Sequence, residues 1–259
     1  MYKDCQITFQ KEICPNIFVM TLDIGNMADE TMPGQFVMIK SWSGSDPFLM
    51  RPISVNSVDR KAGKMTLLYT VKGKGTQLLS QLNQGDTVQL IGPLGSSFPI
   101  LPDAKRVALI GRGIGIAPLL LLAQDYAAQG TELFVYLSGN TEESLYDLKA
   151  FEYLGATVRT SINPNEVITD KMAEDCKEAP FDAAYSCGSK RLARGMKDLS
   201  EEYDFPAYVS LEQHMACGIG ACKGCVCKAT NQETGEVYYP RVCKEGPVFP
   251  VAQVIEEIK

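Results

Sequence analysis

The stretch LPDAKRVALIGRGIGIAPLLLLAQDYAAQG, residues 101–130, decides the fold. A short apolar run, Val107 to Ile110, leads into the glycine turn GRGIGIAP (111–118) and then into an apolar helical segment. Strand, glycine turn and helix in that order open a βαβ unit. Pro118 falls in the first turn of the expected helix, where its missing N–H costs little. Free backbone N–H groups backed by a helix dipole suit a dinucleotide pyrophosphate. A plain tight turn is the other reading, because Pro118 replaces the third glycine of the G-x-G-x-x-G pattern.

Downstream the alternation continues. Strands are expected at ELFVYL (132–137), ATVRTS (156–161), DAAYSC (182–187) and PAYVSL (206–211). Helices are expected at ESLYDLKAFEYL (143–154), near 168–177 and at 189–203. Strands alternating with helices imply an open parallel sheet, Rossmann-like in layout. Cys187 and Gly188, in YSCGS (185–189), then fall at the edge where such sheets bind ligands, although Cys187 is equally explained by packing.

Upstream the texture differs. ITF (7–9), IFVMTL (17–22), QFVMI (35–39), ISVNSV (53–58), MTLLYTV (65–71) and TVQLI (87–91) are short strand-like runs separated by Gly, Pro, Asn and Asp. They suit a small antiparallel barrel or sandwich. Within it, MRPISV (50–55) sets a cation and a hydroxyl at a strand entry, and KGKGTQLLSQL (72–82) is a glycine turn opening a short helix. Each could hold a phosphate. A surface arginine and an ordinary N-cap are the plainer readings.

The 259 residues carry a net charge of -6, so no basic stripe is available for nucleic acid. No apolar run approaches the roughly 18 residues of a membrane span, and the start lacks a signal-peptide layout. A reducing cytoplasm is therefore expected, where clustered cysteines serve metal or redox chemistry more often than disulfides. The only histidine is His214, which rules out a two-histidine metal motif and leaves cofactor-to-cofactor transfer open.

Four of the nine cysteines fall in ACGIGACKGCVC (216–227). Cys217, Cys222 and Cys225 stand at C-x4-C-x2-C, the plant-type [2Fe–2S] spacing once a distant fourth cysteine is added. Cys227 or Cys243 could be that fourth ligand. Cys243 is preferred, since it can return from a hairpin turning at NQETGE (231–236), whereas Cys227 would crowd one side. Zinc matches the spacing poorly, and a thioredoxin-type pair would need a βαβ context absent here. Cys5, Cys14 and Cys176 read as small buried hydrophobes.

In this order the segments resemble the ferredoxin–NADP reductase superfamily. The matching motifs are Arg51-Pro-Ile-Ser54 for R-x-x-S, Gly113-Ile-Gly115-Ile-Ala-Pro118 for G-x-G-x-x-P, and Cys187-Gly188 for C-G. LEQHMACGIGACKGCVC followed by CKEGPVF looks like the cluster segment of the electron-transfer subunits of class 1B dihydroorotate dehydrogenases. Two departures are visible: Arg112, where the family more usually has glycine, and Ser189-Lys-Arg-Leu192, which lacks the prolines of C-G-P-x-P.

The resemblance implies an FAD-binding barrel over 1–99, an NAD(P)-binding α/β domain over 100–210 and a [2Fe–2S] segment over 211–259. It implies that Arg51 contacts the FAD pyrophosphate, that Pro52, Ile53 and Ser54 line the isoalloxazine, and that Leu68, Tyr69 and Thr70 form the next strand of that site. Gly75 and Thr76 would form a phosphate turn. Gly111, Gly113, Gly115, Pro118, Cys187 and Gly188 would serve the nucleotide, NAD(H) with NADP(H) as the alternative. Cys217, Cys222, Cys225 and Cys243 would hold the cluster. The implied partner is an FMN-containing dihydroorotate dehydrogenase catalytic subunit, in a heterotetramer of two copies each. A same-architecture subunit serving a sulfide dehydrogenase or a transhydrogenase is the rival expectation, and a cluster-bearing sensor without turnover is a third.

Overall fold

The computed structural model describes residues 2–162 and 166–254. Residues 1 and 255–259, the outer ends of the first and third expected segments, lie outside it. Six strands close an antiparallel barrel: β1 (Tyr2–Cys14), β2 (Ile17–Asp23), β3 (Phe36–Lys40), β4 (Arg51–Asp59), β5 (Lys64–Thr70) and β6 (Thr87–Leu94). Their order around the barrel is β1-β2-β5-β4-β3-β6. Cys5, Ile7, Met20, Leu22, Val37 and Ile39 fill it from alternate strand positions, as the period-2 pattern requires. The expected strand at 7–9 is the middle of the much longer β1. Short helices α1 (Met27–Glu30) and α2 (Lys74–Ser80) sit in the connections.

The second sheet contains β7 (Arg106–Arg112), β8 (Glu132–Ser138), β9 (Thr157–Ser161), β10 (Ala183–Cys187) and β11 (Ala207–Ser210), all parallel. Helices α3 (Leu120–Ala128), α4 (Leu148–Tyr153), α5 (Ile168–Glu178) and α6 (Lys190–Glu202) connect them. The spatial order β11-β10-β7-β8-β9 reverses at β7. Crevices at such a reversal are where open α/β sheets take ligands.

Three expectations change. Pro118 lies in a 3-10 turn, Gly113–Leu119, that precedes α3 rather than in the α-helix itself. The single helix expected over 143–154 is two pieces, a 3-10 turn at Glu142–Ser144 and α4. Asp147 divides them because its φ of 60° leaves the helical region. Finally, the sheet is not wholly parallel. The cysteine segment forms the small hairpin β12 (Ala229–Thr230) and β13 (Val237–Tyr238) about the expected turn. It then returns as β14 (Val248–Pro250), antiparallel to β11 at the sheet edge, and ends in α7 (Val251–Val254).

Residues 246–248 stitch the parts together. The Ser96 N–H donates to the Gly246 carbonyl (2.5 Å) and the Leu211 N–H to the Pro247 carbonyl (2.9 Å). Phe249 is buried with Val209, Leu211, Cys225 and Cys243 in one core that also takes Phe36 and Met38 of the barrel. Truncating a buried phenylalanine removes its transfer energy and leaves a cavity. Phe249→Ala should therefore lower the unfolding free energy by about 3–4 kcal/mol, read as a shifted urea midpoint with unchanged slope.

Candidate functional site

A cavity of about 580 Å³ opens where barrel, sheet and cysteine segment meet. Arg51, Pro52, Ile53 and Ser54 of β4, Leu68, Tyr69 and Thr70 of β5, and Thr76 of α2 line it, facing Ile114, Ala117 and Pro118. Its size is ordinary for a cofactor pocket, and apolar walls with a few polar groups are the usual composition. Tyr69 keeps its ring in the barrel core, stacked on Phe18 with centroids 5.7 Å apart, and its hydroxyl donates to Gln10 Oε1 (3.4 Å). Leu68, on the other face of β5, packs against Ala117.

Gly75 does not line the cavity; it gives Arg51 room. A Cβ there would stand 2.5 Å from Arg51 Nε, so only glycine lets the guanidinium lie across the start of α2. Thr76 Oγ1 accepts from the N–H groups of Lys72 (3.0 Å) and Gly73 (3.2 Å), fixing that turn. A cation held over a tight turn is a cradle suited to a diphosphate.

The nucleotide motifs meet at the switch point. A Cβ on Gly115 would lie 2.7 Å from the Cys187 carbonyl oxygen, and one on Gly188 2.8 Å from the Gly115 Cα. The two backbones therefore touch, with Gly188 at a φ of +89°. Gly111 is equally tight, because a Cβ would stand 2.9 Å from the Ile116 Cα. Cys187 is buried, and desolvation pushes its thiol well up. A second hollow of about 200 Å³ is lined by Arg112, Gly113, Asn140 and Tyr146, among others. Gly111, Gly115, Cys187 and Gly188 are not among the residues lining either hollow; they set the close packing behind them.

The cysteine loop carries its own fit. The N–H of Gly220 donates to Cys243 Sγ (3.1 Å), that of Cys222 to Cys217 Sγ (3.4 Å), that of Gly224 to Cys222 Sγ (3.4 Å) and that of Cys243 to Cys225 Sγ (3.4 Å). All four predicted ligands thus accept backbone N–H bonds, the pattern that stabilises thiolate sulfur. Burial raises the Cys217 thiol, but the amides of Cys222, Ile219 and Ala221 outweigh it and bring it to about 6. Cys243 is pushed up to about 12 by burial and by the neighbouring Cys225. Among the described residues no three His, Cys, Asp or Glu side chains converge on one ion position. Gly218, at a φ of +71°, lies against the barrel: a Cβ there would stand 2.4 Å from Met38 Cγ.

Sequence reasoning passed over Glu212, Gln213, His214 and Met215, which line the large cavity beside the cysteine loop. Their signal was present, since all four fall within LEQHMACGIGACKGCVC, the stretch that carries the cluster resemblance.

A barrel, a doubly wound sheet and a cysteine loop around one cavity define an oxidoreductase of the ferredoxin reductase type. The likeness to solved structures agrees. The structure of an NADH-dependent reduced ferredoxin–NADP oxidoreductase superposes with a TM-score of 0.83 at 26% identity, over 96% of this chain and 89% of that one. A ferredoxin–NADP+ reductase from Neisseria gonorrhoeae, crystallised with FAD and NADP, shares the fold at a TM-score of 0.62 and 17% identity, over 78% of this chain and 91% of that one.

Family models narrow this further. The oxidoreductase FAD-binding domain matches residues 4–98, and the iron–sulfur cluster binding domain of dihydroorotate dehydrogenase B matches residues 212–255. The dihydroorotate dehydrogenase B (NAD(+)) electron transfer subunit of Bacillus caldolyticus is 35% identical over 96% of both chains. That of Geobacillus sp. (strain WCH70) is 37% identical over 98% of this chain and all of its own. The chain belongs to the family of dihydroorotate dehydrogenase B electron transfer subunits.

One titratable group beside these hollows is out of its usual range. Burial pushes the Asp147 carboxyl up to about 6, against a smaller opposing pull from the Asn56 carboxamide. The folded state then holds this proton more tightly than the unfolded chain, whose carboxyl titrates near 3.9. Stability from this group is complete below about pH 4 and falls as pH rises towards about 6, by up to roughly 3 kcal/mol. Asp147→Asn should flatten that slope, leaving the variant about 2 kcal/mol more stable than the parent at pH 7.5 and level with it near pH 4, as urea unfolding at the two pH values will read.

Proposed function

We propose that this chain passes electrons between NAD(H), FAD and a [2Fe–2S] cluster, and from there to or from an FMN-containing dihydroorotate dehydrogenase catalytic subunit of cytoplasmic pyrimidine biosynthesis. The observation that carries the reading is a distance of one strand. Gly218 of the cysteine loop abuts Met38 of β3, and Met38 is the register partner of Pro52 on β4, in the wall of the large cavity. Bound together, the two groups would supply the exchange between a hydride and single electrons.

The protein's own residues have binding and positioning roles in this scheme. Arg51, seated over Gly75 and the Thr76-braced turn, holds the FAD diphosphate; Pro52, Ile53, Ser54, Leu68 and Thr70 shape the ring site, and Tyr69 contributes from the barrel side. Gly113 and Pro118 belong to the nucleotide turn, which Gly111 and the Gly115–Cys187–Gly188 contact support. Cys217, Cys222, Cys225 and Cys243 ligate the cluster, and Cys227 is left to packing. FAD domain, nucleotide domain and cluster segment then correspond to 1–99, 100–210 and 211–259.

Exposed Ile219, Val226 and Tyr239 flank the cysteine loop, and Cys222 is itself exposed. This apolar rim suits the catalytic partner, two copies of each subunit completing a heterotetramer. The likeness to the NADH-dependent ferredoxin–NADP oxidoreductase structure supports a second reading, the same relay serving a different partner.

Anaerobic purification should yield flavin together with iron and sulfide in equal amounts; zinc in place of iron, or a colourless protein, would overturn the proposal. Cys243→Ser should lose the cluster absorbance while Cys227→Ser keeps it, and the opposite result would reassign the fourth ligand. Affinity capture should bring down an FMN protein that oxidises dihydroorotate; capture of a different flavoprotein favours the second reading.

A further inference from the structure

Asn56 lies on β4 two residues beyond Ser54, and the strand register slips there. Val55 pairs with Leu67 and Ser57 with Thr66, so Asn56 is the extra residue of a bulge. A bulge breaks the in-and-out alternation and re-aims a side chain. The buried Asn56 carboxamide leaves the barrel and meets the nucleotide-binding part twice. Its Nδ2 donates to the Ala117 carbonyl (3.1 Å) and to Asp147 Oδ2 (2.7 Å). One NH2 group has two hydrogens, so both bonds can be made together.

The two partners are not incidental positions. Ala117 belongs to the 3-10 turn whose Ile114, Ala117 and Pro118 form one wall of the large cavity, and β4 supplies the facing wall. Asp147 is the left-handed residue that splits the expected helix. A bulge and a left-handed aspartate both depart from what local propensity favours, and such departures persist only where the surroundings impose them. Here a single hydrogen-bonded group accounts for both. It also gives the partly buried Asp147 carboxyl a hydrogen-bond partner.

We propose that Asn56 and Asp147 are positioning residues: through the Ala117 carbonyl they fix the nucleotide turn against the flavin strand, and so set the spacing at which nicotinamide meets flavin. This rests on the function proposed above. Reacting atoms must approach to about 3–3.5 Å, and a misplacement of 1 Å can cost roughly a hundredfold in rate. A contact that merely glued two domains together would change stability and leave that step alone.

The test has two arms. In the flavin-loaded subunit, Asn56→Ala should slow flavin reduction at saturating NADH by about tenfold or more, with FAD and NADH affinities within about twofold of the parent. Asp147→Asn keeps an acceptor for the carboxamide and should stay within about twofold in rate. Asp147→Ala, which leaves the Ala117 bond, should fall between them and serves if Asn56→Ala folds poorly. In the chain without cofactors, amide hydrogen exchange over 113–119 should accelerate in Asn56→Ala and not in Asp147→Asn. Parent-like reduction or unchanged exchange in Asn56→Ala, or in Asp147→Ala if only that variant folds, overturns the inference. A parent protein whose flavin NADH does not reduce overturns the functional reading instead, and the exchange result still decides the positioning claim.

Discussion

The architecture depends on β3, a five-residue strand buried on both faces. Val37 and Ile39 point into the barrel, while Phe36 and Met38 enter the core shared with the second sheet and the cysteine segment. A strand in an antiparallel barrel usually sends alternate residues to solvent. Here the outward face is apolar and covered, so the barrel cannot expose it without uncovering Phe36 and Met38. Burial of that face holds three chain segments around one cavity. The Ser96–Gly246 and Leu211–Pro247 backbone bonds then fix their orientation.

A second constraint is backbone contact at the switch point. Gly115 and Gly188 follow β7 and β10, the strands on either side of the reversal, and approach too closely for any side chain on either. Gly111, tight against Ile116, is held to glycine in the same way, whereas the position that follows it, Arg112, carries a side chain. That side chain turns outward, with Nη2 donating to Asn140 Oδ1 (2.7 Å).

The sequence was most legible where chemistry forces a spacing. C-x4-C-x2-C, the glycine turn after Val107–Ile110 and the arginine of MRPISV all arise from local geometry; the glycine turn directly follows β7, and Arg51 opens β4 beside the large cavity. Legibility failed where a distant residue decides. The helix over 143–154 has helical composition, yet Asp147 breaks it to reach Asn56, ninety-one positions away in sequence. The edge strand Val248–Pro250 is three residues long and ends in proline, too short and too irregular for a period-2 signal. Asn56 reads as an ordinary polar position in a strand, because a bulge leaves no mark in a single sequence. His214 and Gln213 were passed over because they become cavity residues only when the segment after β11 folds back across the barrel.

The cysteine loop shows how the same rules work at a surface. Cys225 and Cys243 are buried, whereas Cys217 is half-buried and Cys222 exposed. Buried sulfur resists ionisation, and it is the inner pair whose environment raises Cys243 while backbone N–H groups lower Cys217. Four backbone N–H dipoles, those of Gly220, Cys222, Gly224 and Cys243, point their partial positive charge at the sulfurs and offset part of the charge that four thiolates would bring to one place. Lys223, at a φ of 56°, and Gly220, at 83°, make that winding possible. The segment can adopt this form only when anchored at both ends. Its first anchor is Leu211 at the end of the parallel sheet, and its second is β14 on that sheet's edge. A metal-binding loop with no extensive core of its own thus borrows rigidity from the sheet, whose edge the strand after the cysteines joins in antiparallel register with β11.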